Sequence, residues 1–127
     1  MKSPVSLFVA FWMITTCCEA MDTNGQYAVW GAGRKSCHEY NQARAAGDYT
    51  EFKAYIMGYL TAYNTNTPET YRITGSTDLN GVLDRVDTYC QKSPVRGFEA
   101  ALRNLTEELY AERWKNAPVS RTLREYK

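Results

Sequence analysis

Four cysteines stand in two places, and their placement constrains this chain more than any other feature. Cys17 and Cys18 close a short apolar run near the N-terminus, whereas Cys37 and Cys90 each lie inside a segment with helical periodicity. Residues 1–20 have the form of a secretory signal peptide. Lys2 supplies the positive start, Val5 to Ile14 (VSLFVAFWMI) the apolar centre, and Cys18-Glu19-Ala20 a small-x-small site with cleavage after Ala20. The apolar run is shorter than the roughly 20 residues needed to span a bilayer. The competing reading is a lipoprotein acylated at Cys17 or Cys18, with Thr16 or Cys17 standing where a very small residue is preferred. Once the leader is removed, Cys37 and Cys90 are the whole cysteine inventory of an exported protein, and one disulfide between them is the simple reading. It closes a loop of about 54 residues, for which chain entropy gives a stabilisation of about 4 kcal/mol. Two free thiols in a catalytic or metal-binding role would need further ligands. The chain has one histidine, and no C-x-x-C remains after cleavage.

Cleavage leaves Met21 to Lys127 (21–127), the length of one domain and near the lower limit for a self-sufficient core. The balance of 15 basic and 14 acidic residues gives a net charge of +1, which losing Lys2 and Glu19 leaves unchanged. No strong field exists to draw in nucleic acid or an anionic membrane. Ten tyrosines and 44% apolar residues argue for a folded domain rather than a disordered one.

The periodicity predicts an all-α, four-helix single domain behind an extended N-terminal arm. The arm is Met21 to Lys35, glycine-rich and aperiodic, with Val29 and Trp30 as the residues able to dock on the core. Ser36 opens the first helix, because Ser36 and Glu39 have the spacing of a capping box, and Gly47 ends it. The second helix runs from about Asp48 to Asn64. Phe52, Tyr55, Ile56, Tyr59, Leu60 and Tyr63 fall on one face at helical spacing. Thr65 to Thr77 reads as a long polar loop, functional or mobile. The third helix spans about Asp78 to Lys92, with Leu79, Val82, Leu83, Val86, Tyr89 and Cys90 on its apolar side. Ser93-Pro94 suits an N-cap and first helical position, so the fourth helix is predicted from Pro94 to Lys115 with Phe98, Ala101, Leu102, Leu105 and Leu109 inward. Asn116 to Lys127 (116–127) is a polar, basic, frayed tail.

Few motifs carry chemistry. Gly31-Ala-Gly-Arg-Lys-Ser36 differs from a phosphate loop because Arg34 separates Gly33 from Lys35 and no buried strand precedes it, so it reads as a turn into a capped helix. His38 reads as a surface histidine. No H-E-x-x-H, G-x-S-x-G or clustered aspartate set occurs, so no catalytic residue, metal or cofactor is assigned and a non-enzyme is expected. Two readings fit the aromatic ladder of the second helix: a core face with hydroxyls at the rim, or a partner-binding face made of Tyr55, Tyr59 and Tyr63 together with Trp30.

Trp30-Gly-Ala-Gly-Arg-Lys-Ser-Cys37-His-Glu-Tyr40, then Tyr55-Ile-Met-Gly-Tyr-Leu-Thr-Ala-Tyr-Asn64, then Tyr89-Cys90-Gln-Lys-Ser-Pro94 resemble the W-G-x-G-x-x-S-C, G-Y-x-x-x-N and Y-C-x-x-x-P pattern of a group of small exported bacterial proteins. In size, helices and cysteine topology the arrangement is similar to the HdeA/HdeB-type periplasmic acid-stress chaperones. That resemblance implies a soluble periplasmic protein, a homodimer at neutral pH, and acid-released monomers that bind unfolded clients. The composition permits such behaviour, since protonating the carboxylates would leave the mature chain at about +16. The alternative from another class is a periplasmic immunity or inhibitor protein that binds one cognate toxic enzyme, through the Thr65–Thr77 loop or the tyrosine face.

Overall fold

The computed structural model describes residues 21–119, which form four helices and no strand. The predicted signal segment, with Cys17 and Cys18, and residues 120–127 of the predicted tail lie outside the described residues. The helices are α1 (Cys37–Ala46), α2 (Thr50–Asn66), α3 (Leu79–Lys92) and α4 (Phe98–Leu109). Single 3-10 turns precede α1 (Gly31–Arg34) and follow α4 (Tyr110–Glu112).

Local signals set several helix ends where the sequence places them. Ser36 Oγ accepts the Glu39 N–H at 3.2 Å, and the Glu39 carboxylate accepts the Ser36 N–H at 2.7 Å, a complete capping box. Gly47, at φ 73°, turns left-handed and returns its N–H to the carbonyls of Ala43 and Arg44. Asp78 Oδ1 accepts the Gly81 N–H at 2.9 Å and caps α3.

Other boundaries are decided by distant partners. Pro94 does not begin α4. Its carbonyl accepts the His38 N–H (2.9 Å), the Arg96 carbonyl accepts the Cys37 N–H (2.8 Å), and the Phe98 N–H donates to Lys35 (2.8 Å). Residues 94–97 are therefore occupied in satisfying the first N–H groups of α1, which have no partner within their own helix. Ser93 closes α3 rather than opening α4, and Gly97 stands at the N-cap of α4. At its other end α4 stops at Leu109, short of Lys115, because the chain turns back. Trp114 forms an antiparallel bridge with Arg72, its N–H donating to the Arg72 carbonyl at 2.9 Å.

That bridge also corrects the reading of residues 65–77 as a polar loop. α2 continues to Asn66, and the connection beyond it is packed: Ile73 is fully buried, and Thr70 and Thr74 are buried with it. Asn64 Oδ1 accepts the Ile73 N–H at 2.8 Å, so the end of α2 anchors the segment. α2 itself starts at Thr50 rather than Asp48 and has no side-chain cap. The Asp48 N–H returns instead to Ala43 (3.0 Å), and Glu51 pairs with Lys35 Nζ at 2.6 Å.

The arm opens in a hydrogen-bonded turn between Asp22 and Gln26 rather than as extended chain, and its irregular stretch runs only as far as Trp30. Ala32 and Gly33 are buried in the 3-10 turn, where Gly33 is pressed between Tyr55 and Val29. A Cβ there would fall 2.2 Å from the Tyr55 hydroxyl and 2.7 Å from Val29 Cγ1. Val29 thus docks as predicted, whereas Trp30, 79% exposed, does not. A glycine lets the turn approach the helix this closely.

Cys37 and Cys90 form the predicted disulfide, with their Cα atoms 4.8 Å apart and both residues fully buried. The bond clamps the first turn of α1 to the last turn of α3. Beside it lies an aromatic core. The Phe98 ring is 4.8 Å from those of Tyr40 and Phe52 and 6.2 Å from that of Tyr55. Phe52 also meets Tyr40 edge-on at 5.3 Å. α2 joins α1 and α4 through these long side chains, while its backbone lies close to the 31–34 turn.

Candidate functional site

The predicted aromatic face of α2 divides into two parts. Phe52 and Ile56 are core, as the helical stripe requires. Tyr55 is half-buried against Phe98 and the 31–34 turn, while Tyr59 and Tyr63 line a groove. The groove has a volume of about 600 Å³ and runs between the C-terminal half of α2, the first turns of α4 and the N-terminal arm. Tyr59, Ala62, Tyr63 and Asn66 come from α2, Glu99 and Arg103 from α4, and Met21 and Tyr27 from the arm. Its walls are mostly apolar. Trp30 does not line it, so the four residues predicted as one partner face are not brought together.

The groove's polar rim is a network that the sequence did not reveal. The Tyr27 hydroxyl donates to Glu99 Oε1 at 2.9 Å and accepts from Arg103 Nη1 at 3.1 Å. Glu99 and Arg103 stand one helical turn apart on α4. No local signal tells that a tyrosine more than 70 residues earlier lies between them. Burial, then the Glu99 carboxylate, pushes the Tyr59 hydroxyl up to about 12, and the same two causes raise Tyr55.

A second cluster ties α1 to α3. Arg44 binds Asp87 through two parallel bonds, Nε to Oδ1 at 2.9 Å and Nη2 to Oδ2 at 2.6 Å. The Tyr40 hydroxyl donates to Asp87 Oδ1 at 2.7 Å, and the Arg44 guanidinium stacks 4.5 Å from the Tyr49 ring. Asn41 adds a bond from Nδ2 to the Cys90 carbonyl at 3.0 Å, next to the disulfide. Burial alone would raise the Asp87 carboxyl. The Arg44 and Tyr40 bonds outweigh it and hold Asp87 below its usual range.

The sign for stability follows directly. Because the folded value lies below the unfolded one near 4, the unfolded chain binds more protons between the two. The Asp87 contribution is complete above that window and is lost as the pH falls through it. Glu39, lowered first by the Ser36 backbone bond, acts in the same direction. Asp87→Asn is expected to cost about 1–3 kcal/mol at pH 7 and to flatten the fall of the urea midpoint between pH 5 and pH 2, which acid titration of both proteins reads. An unchanged slope would remove Asp87 from the acid response.

The remaining motifs do not assemble a reactive centre. His38 is exposed, and Lys35 and Ser36 of the glycine-rich turn are engaged by Glu51 and Glu39. Three consecutive N–H groups at the start of α1 already have acceptors: Arg96, Pro94 and Ser36 Oγ. Among the described residues no three His, Cys, Asp or Glu side chains stand together as a metal site, and no helix is long and apolar enough to cross a membrane. No protein-family model matches this chain, and no curated protein or solved structure matches it either.

Proposed function

We propose that this is a non-enzymatic protein-binding protein of the bacterial periplasm, a chaperone similar in kind to the HdeA/HdeB type that holds unfolded clients under acid. The observation that supports this reading is how α1 is held. Besides its backbone bonds to residues 94–96, it is tied by one ionisable contact, the Asp87 carboxylate with Arg44 and Tyr40, and by one covalent contact, the Cys37–Cys90 bond. Acid discharges the first and spares the second. α1 covers Phe52 and Phe98 with its own Tyr40 ring, large apolar surfaces that a loosened helix would uncover while the closed disulfide loop kept the chain compact. A disulfide in so small a protein is compatible with export.

The test is light scattering by an unrelated enzyme at pH 2–3 with and without the mature protein, run beside sizing at pH 7 and pH 2. Suppression of aggregation at acid pH alone, with a dimer giving way to monomer, is the expected result. No suppression and an unchanged size would end the chaperone reading.

The groove favours a second reading. Tyr27, Tyr59 and Tyr63 line an open apolar surface in the intact fold, which fits one cognate enzyme bound at neutral pH, as an immunity or inhibitor protein would bind it. Tyr59→Ala with Tyr63→Ala separates the two. It abolishes capture of a single partner at pH 7 under the second reading and leaves acid suppression unchanged under the first.

A further inference from the structure

Arg72 sits where the chain after α2 pairs with Trp114, and its guanidinium is held from several sides. Nε donates to Thr74 Oγ1 at 3.0 Å, Nη2 donates to the Thr77 carbonyl at 3.3 Å, and the Trp114 ring centroid is 5.4 Å away. Arg44 and Lys35 each bind a carboxylate, whereas Arg113, like Arg72, is held by a threonine hydroxyl, a backbone carbonyl and an aromatic ring, but it lines neither of the cavities beside Arg72. Arg72 has no carboxylate within 4.0 Å among the described residues. Its two bonds use two of the five guanidinium N–H groups. The outer edge, Nη1 with Nη2, has no protein acceptor on Nη1 among the described residues, and it is one of the two edges on which a guanidinium can hold a carboxylate by two parallel bonds. A guanidinium already fixed by stacking and two hydrogen bonds loses little further freedom on binding.

The same guanidinium borders two cavities between α2 and the start of α3. The smaller, about 170 Å³, is walled by Met57, Leu60, Leu79 and Val82. The larger, about 410 Å³ and more open, shares Met57, Leu60, Arg72 and Thr74 with it and adds Asn64 and Tyr71. A cavity of about 150 Å³ holds one benzene ring, so the smaller one suits a branched or ring-sized apolar group and is too short for a long acyl chain. Asp78 is the one carboxylate on its walls, and Asp78 Oδ1 is engaged by the Gly81 N–H.

We propose that this corner binds the free C-terminal carboxylate of a polypeptide ending in a branched or aromatic apolar residue, with the carboxylate on Arg72 and the last side chain between Met57, Leu60, Leu79 and Val82. The peptide's last amide N–H and carbonyl would then face the larger cavity, where Asn64 and Tyr71 stand. The site is formed in the intact fold and needs no acid opening, so it is independent of the chaperone reading.

Titration of the mature protein at pH 7, followed by amide shifts in NMR, tests it with three probes: N-acetyl-leucine, N-acetyl-leucinamide and octanoate. N-acetyl-leucine is expected to shift the amides of Arg72, Thr74 and Leu79 and to bind at least about tenfold more tightly than the amide, the margin one charge-assisted bond supplies. Arg72→Gln brings that ratio to about one. Because Arg72 also ties its own segment, Met57→Glu provides a second variant. Met57 is an exposed helix position where glutamate is well tolerated, and the tethered carboxylate competes for Arg72, lowering affinity for N-acetyl-leucine by about tenfold or more while the thermal midpoint holds. Equal binding of acid and amide would overturn the proposal, as would unchanged binding by Met57→Glu. Tighter binding of octanoate than of N-acetyl-leucine would also overturn it, by making the site one for fatty acids.

Discussion

Removing the Cys37–Cys90 bond, by reductant or by Cys37→Ala with Cys90→Ala, is expected to take away a large part of the stability and to lower the thermal midpoint by roughly 15–30 °C. The bond spans 53 positions of sequence and joins α1 to α3 at residues that are both fully buried. Opening a loop of that length returns about 4 kcal/mol of conformational freedom to the unfolded chain, against a total stability of about 5–15 kcal/mol for a domain of this kind. The double alanine variant also loses two buried sulfurs from the core. α1 is the element most exposed to the change. Without the bond it keeps its capping box, the 94–97 carbonyls and the Asp87 tie, but ten residues are too few to stand as a helix alone. Far-ultraviolet circular dichroism during thermal melting, with and without reductant, is the measurement. Equal midpoints would show that the core alone carries the fold.

Phe98→Ala has an expected cost of about 3–5 kcal/mol, the range for truncating a fully buried aromatic residue. Phe98 is wholly buried, and its ring is the point where α4 meets Tyr40 of α1 and both Phe52 and Tyr55 of α2. Since α2 reaches α1 and α4 chiefly through these rings, a void at Phe98 cannot be closed by a small shift of adjacent backbone. The thermal midpoint is expected to fall by roughly 15–30 °C, at several degrees per kcal/mol for a domain this size. Phe98→Leu, which fills most of the space, should recover more than half of the loss. A drop of under 5 °C for the alanine variant would mean that the surrounding rings collapse into the space. That would contradict a rigid aromatic junction.

The two variants also report on different parts of the proposed acid response. Phe98→Ala weakens the aromatic surface that clients would contact, so it should lower acid suppression of aggregation even where the protein remains folded. Loss of the disulfide removes the restraint that keeps the acid-loosened chain compact, so it should change the size of the acid form.

What was legible in the sequence was whatever a few neighbouring residues encode. Ser36 with Glu39, and Gly47, marked helix ends, because each bonds to backbone within four residues of itself, whereas the capping role of Asp78 was seen only in the structure. The stripes of α3 and α4 are those read from periodicity, and the buried set Val82, Leu83, Val86, Phe98, Leu102 and Leu105 follows from them. The Cys37–Cys90 pairing came from counting cysteines. The candidate site was only half legible. Tyr59 and Tyr63 were found because they repeat along one helix, whereas Tyr27 and the Glu99–Arg103 rim depend on where the arm lies.

The sequence by itself determined that the described chain is all-α, which faces of α3 and α4 turn inward, and which two cysteines bond, because these rest on helical period, short-range caps and an inventory of two. Only the tertiary structure decided where α4 begins, that residues 67–78 are packed rather than loose, that Trp30 stands out in solvent, and that Arg72 borders a cavity without a carboxylate. Each of these depends on a backbone or side-chain partner tens of residues away. Pro94 looks like a helix start until its carbonyl is needed by His38, and Arg72 looks like a loop residue until Trp114 returns to meet it. A buried N–H or C=O must find a partner somewhere, and which partner it takes is settled by the three-dimensional packing rather than by the residues beside it.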